Sequence, residues 1–164
     1  MSWLLLIPSV YVAAVLETAL APLVEVRGVV PDLFALIAVV WVLRARGERA
    51  FLTAAALGLI CDLTAAGPPG IGLGAFALVG YGLGRLRDKV DADHWLVQTG
   101  VVWVSVTAIS LLEAAAWHFT SETAISWPTL AVRGVTIGVY TAAVALPLLL
   151  LINRLRRPRR AAMA

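Results

Sequence analysis

The chain has 164 residues, of which 61% are hydrophobic and 14% charged, with a formal net charge of +3. That apolar share exceeds the roughly 45–50% of ordinary soluble domains. So few ions cannot coat a water-soluble globule of this size, which leaves one compact membrane unit. The 13 Lys and Arg fall in short clusters between apolar runs rather than along one face, which argues against nucleic acid as a partner.

In chain order, the apolar runs predict an all-α integral membrane protein. Its six transmembrane helices, at about 3–24, 31–43, 50–66, 71–84, 95–117 and 128–152, form one bundle over 1–153, followed by a basic tail at 154–164. A span needs ~20 residues, so the first, fifth and sixth runs suffice alone. The first run contains Ala19-Leu20-Ala21, which resembles a signal-peptidase site. No Lys or Arg precedes it, however, and its length suits a retained span. The second run opens at Pro31-Asp32-Leu33, and like the fourth it reaches bilayer length only if Arg44 or Arg85 snorkels to the interface.

Cys61, in the third run, is the single cysteine, so no internal disulfide forms and it reads as a small packing residue. A Gly67-Pro68-Pro69-Gly70 turn follows. The fourth run is dense in glycine, and Gly70 with Gly74 and Gly80 with Gly84 repeat at four residues. That is small-xxx-small spacing for close helix approach, either internal or to a partner. No strand precedes these glycines, which rejects a nucleotide fingerprint. Pro128 opens the sixth run, where its missing N–H costs little. The tail residues Arg154, Arg156, Arg157, Arg159 and Arg160 suit a cytoplasmic leaflet or a cytoplasmic protein.

Positive charge sets the orientation. With both termini in the cytoplasm, eleven of the 13 Lys and Arg fall inside, and only Arg27 and Arg133 fall outside. That bias also favours counting the short runs as separate spans. The six Trp residues mostly fall near run ends, as an interfacial belt should.

Ionisable residues within spans are costly and call for a reason. Glu17, Asp32, Asp62, Glu113 and Arg133 all fall toward the outer side in this topology. One reading is an outward polar cluster, with Arg133 paired to Asp62 or Glu113 and the other acids open to a ligand or partner. The other is a set of separate interfacial acids plus one structural ion pair. Catalytic signals are weak: no HExxH or GxSxG occurs, and His118 with Glu122 is one helical pair without further metal ligands. An Asp32–Asp62 dyad lacks the Asn- and Arg-containing motifs of lipoprotein signal peptidases. We therefore expect a non-enzymatic protein without cofactor or metal.

The middle of the chain resembles the MreD family of rod shape-determining proteins. The resemblance rests on Pro31-Asp32-Leu33, then Gly58-Leu59-Ile60-Cys61-Asp62-Leu63, the Gly67–Gly70 turn and Gly80-Tyr81-Gly82-Leu83-Gly84-Arg85. It implies a scaffold of the bacterial cell-elongation machinery in the inner membrane. MreC would be its direct partner, the peptidoglycan synthases including RodA would be reached through MreC, and MreB filaments would be linked indirectly. Gly58, Gly70, Gly74, Gly80 and Gly84 would serve helix packing or a partner interface. The family is also similar in fold to the substrate-binding subunits of energy-coupling-factor vitamin transporters. This implies an alternative in which the outward acids line a solute pocket.

Overall fold

A computed structural model describes residues 8, 11, 12, 14, 15, 17, 19, 25, 28–43, 48–64, 69–86, 94–120 and 126–161. Among them the regular structure is helical: α1 (Leu33–Val42), α2 (Glu48–Thr64), α3 (Ile71–Leu86), α4 (Trp95–Thr120) and α5 (Trp127–Ala161). Most of the expected first span, 3–24, lies outside the described residues. Those described within it at positions 8, 11, 12, 14, 15, 17 and 19 are helical.

Two helices, Trp95–Phe119 and Trp127–Leu151, are long and apolar enough to cross a membrane, and α1, α2 and α3 are shorter. α1 is the shortest, ten residues or ~15 Å of rise, about half of a ~30 Å hydrocarbon core. Its apolar residues point in every direction, a pattern that belongs in a protein core or in lipid, away from water. Here it is the core: α1 touches each of α2 to α5, and Phe34, Ala35, Leu36, Ala38, Val39 and Val42 are all buried. Pro31 disfavours helix in the residue before it. Asp32 has extended backbone and caps the first turn, and the helix closes at Leu43.

Around α1 the chain forms two helical hairpins, α2 against α3 and α4 against α5, joined chiefly by α3 on α4. Leu57, Phe76, Val102, Val106, Ile109, Ala145 and Leu149 pack with α1 in the main core. A smaller cluster joins Val42 to Ala50 and Ala54. The remaining faces are also apolar. Leu63 is 77% exposed and Phe119 80%, and only 28% and 33% of the two long spans is buried inside the protein. Such an exterior is suited to lipid rather than water as its solvent.

The N-terminal segment follows the same rule. Pro8, Tyr11, Val12, Val15 and Ala19 are exposed, whereas Ala14 and Glu17 are half-buried, Ala14 against the core. At the C-terminal end, helix continues through Ala161, so residues 154–160 extend α5. The side chains of Arg154, Arg156, Arg157, Arg159 and Arg160 lie outside the described residues.

Candidate functional site

Asp62 lies in the last turn of α2, facing the start of α3. The first amides of a helix have no partner within it and carry the positive end of its dipole. Asp62 supplies what they lack. Its Oδ1 accepts from Gly72 N–H at 2.8 Å, and its Oδ2 from Gly70 and Leu73 N–H, both at 2.9 Å. Three of roughly four acceptor positions of the carboxylate are thus used within one hairpin.

Glycine makes this geometry possible. Gly70 has φ +99°, and a Cβ on Gly72 would lie 2.6 Å from Asp62 Oδ1. One turn further into the hairpin, a Cβ on Gly58 would lie 2.6 Å from the Gly72 carbonyl oxygen. Gly58, Asp62, Gly70 and Gly72 therefore form one local device, a capped helix reversal.

Asp32 does a similar task for α1. Its Oδ1 accepts from Ala35 N–H at 2.7 Å, and its own N–H donates to Thr141 Oγ1 of α5 at 3.0 Å. From the N-terminal segment, Glu17 comes near the Phe34 amide in the same first turn. Glu17 Oε2 is buried without a hydrogen-bond partner among the described residues. Glu113 of α4 is half-buried and acts electrostatically on Glu17 as well as feeling Asp32 and Asp62. Cys61 feels all four carboxylates. Glu17, Asp32, Asp62 and Glu113 are thus brought near Cys61 and the start of α1.

Arg133 stands apart. It is exposed on α5. Among the described residues, no ion pair joins it to Asp62 or Glu113. No group of three or more His, Cys, Asp or Glu is arranged to hold a metal ion among the described residues. His118 packs against Trp127 with ring centroids 4.6 Å apart and planes tilted by 57°, and Glu122 lies outside the described residues.

Depth along the bundle also emerges from these contacts. Thr141 is 14 residues beyond Trp127, ~21 Å along α5 at 1.5 Å per residue. Asp32 thus enters well within the length of α5, whereas the 31–43 run by itself suggests a start at the outer surface.

The glycines divide by role. A Cβ on Gly80 would collide with the Ala54 Cβ, and one on Gly84 would lie 3.4 Å from the Ala50 Cβ, so both face α2. Gly74 has open space beside it. A second glycine pair escaped the sequence reading: Gly134 packs on Leu111, and Gly138 on Thr107 and the Trp103 carbonyl. Their four-residue spacing was the available signal. Thr141, fully buried, was missed too. Its only mark was a hydroxyl in an apolar run, which in membranes tends to seek a hydrogen bond across helices.

The family model described as rod shape-determining protein MreD matches residues 1–155. No curated protein and no solved structure matches the chain.

Proposed function

The chain belongs to the MreD family, a membrane protein family of rod-shape determination, and from that premise we propose that it is a non-enzymatic scaffold of the cell-elongation machinery. In this reading it holds MreC in the inner membrane, and through MreC it directs the sidewall peptidoglycan synthases, RodA among them. MreB filaments are coupled to it indirectly on the cytoplasmic side. The match over residues 1–155 carries the proposal.

The fold supports a scaffold in a specific way. Two of the carboxylates placed among the helices are engaged in fixing helix ends, Asp62 on α3 and Asp32 on α1. Carboxylates used like this set where helices start and hold the external faces in a fixed arrangement. Those faces are broad and apolar, as contact with lipid or a partner's membrane helix requires.

Six crossings with both termini in the cytoplasm complete the proposal. Eleven of the 13 Lys and Arg then lie inside. The ten-residue α1 is compatible with this because α2 to α5 surround it, so its ends need not meet lipid.

Co-expression with tagged MreC tests the scaffold. Recovery of the chain with MreC, together with rounding of rod-shaped cells on depletion, is the expected outcome. Failure to bind MreC with a small polar solute retained instead would replace it with the solute-binding reading. A reporter enzyme fused after Arg160 and active in the periplasm would overturn the topology.

A further inference from the structure

A groove on the outer face of the α2–α3 hairpin takes no part in the carboxylate site. It encloses about 730 Å³ and is lined by Ala50, Phe51 and Leu52 of α2 and by Gly80, Tyr81 and Arg85 of α3. That volume lies in the range of small-molecule sites, ~300–1,000 Å³. Phe51, Leu52 and Tyr81 are each about half exposed, so the walls are apolar and open outward. Among the described residues the lining carries one charge, Arg85, in the last turn of α3. Its guanidinium carbon stands 5.1 Å from the centroid of the Tyr81 ring. The ring face and the negative end of the helix dipole both favour a cation there. The groove thus runs from an apolar wall to a positioned cation.

We propose that this groove binds a bilayer phospholipid, with an acyl chain along Phe51, Leu52 and the Tyr81 ring and the headgroup phosphate on the Arg85 guanidinium. A phospholipid joins an anion to an apolar chain in one molecule, in the order in which the groove presents their complements. An apolar partner helix would cover the Arg85 charge with nothing to neutralise it, which is unfavourable. The close approach that glycine allows here is already taken, since Gly80 faces Ala54. The inference rests on the multi-span reading above, which puts Arg85 with Arg87 and Lys89 at the cytoplasmic leaflet. Basic pockets between helices on that side select anionic headgroups.

The test titrates delipidated protein in detergent with phosphatidylglycerol or phosphatidylcholine of identical chains, and native mass spectrometry reads the bound lipid. The wild-type chain should prefer the anionic lipid about fivefold, equivalent to the ~1 kcal/mol of one basic side chain near an anionic lipid. Arg85→Gln should abolish the preference, and Arg85→Lys should retain part of it. Leu52→Trp, which fills the groove, should lower retention of both lipids.

Equal binding of the two lipids by the wild type, or an unchanged preference in Arg85→Gln, overturns the proposal. So does displacement of the lipid by excess inorganic phosphate, which would mean a free-anion site. A photo-cross-linker at position 52 that captures a protein instead of lipid in cells would show a partner helix in the groove and also overturn it. Maleimide labelling of Leu86→Cys in a Cys61→Ala background separately reports sidedness. Labelling only from outside would sink the topology, whereas the lipid preference in detergent is read independently of orientation.

Discussion

Replacing Asp62 by Ala removes the acceptor of three amides at the start of α3, and the cost can be worked from their surroundings. Hydrogen bonds to a charged group contribute about 1.5–3 kcal/mol each, but the Gly70 and Leu73 bonds are exposed and the Gly72 bond part-buried. Water or headgroups can replace the exposed pair at small loss, leaving one buried amide without a partner, about 1–3 kcal/mol, plus about 1 kcal/mol of lost cap. The expected destabilisation is therefore about 2–4 kcal/mol. At about 2–4 °C per kcal/mol for a chain of this length, Tm should fall by roughly 5–15 °C.

The six Trp residues provide an intrinsic signal for thermal unfolding in detergent. Asp62→Asn, which keeps one acceptor oxygen and loses the charge, should fall between wild type and Ala. A double-mutant cycle sharpens the test. Gly72→Ala puts a Cβ against the carboxylate, so it should cost more beside Asp62 than in the Asp62→Ala background. If Asp62→Ala shifts Tm by under ~2 °C, or the two substitutions are additive, the carboxylate does not cap α3 and its role as a free docking acid returns.

Thr141→Val keeps the side-chain shape but leaves the Asp32 N–H without an acceptor, and should cost about 1–3 kcal/mol in the same assay. Gly138→Ala should destabilise by about 1–3 kcal/mol, because its Cβ collides with Thr107 at the α4–α5 contact. Gly74→Ala, with open space beside it, should be neutral or stabilise by up to about 1 kcal/mol; a reversed order of these two Tm values would contradict the packing described. Arg133→Glu should leave Tm within ~2 °C of wild type, since surface changes are usually small. Combining it with Asp62→Lys should rescue nothing, and recovery by that swap would reveal an ion pair absent from the fold described.

Legibility followed the range of the interaction. Composition and the spacing of apolar runs announced helices and their approximate places, because a chain this apolar must satisfy its backbone internally. Motifs around Asp62 were visible too, because cap, turn and glycine lie within about one hairpin of each other in sequence. Even there, the residues alone did not reveal that the carboxylate faces amides instead of Arg133. A formal charge looks the same whether it pairs with a guanidinium or with the orphan N–H groups of a helix.

What the sequence determined by itself was a family and a helical architecture. The tertiary structure decided what each acid and glycine touches. Thr141 meets Asp32 across 109 residues, Gly138 meets Thr107, and Glu17 reaches the start of α1. The physical reason is that side-chain and main-chain groups in an apolar interior bond to whatever donor or acceptor the packing of helices brings near. That packing depends on the shapes of all the helices together, which no local pattern encodes.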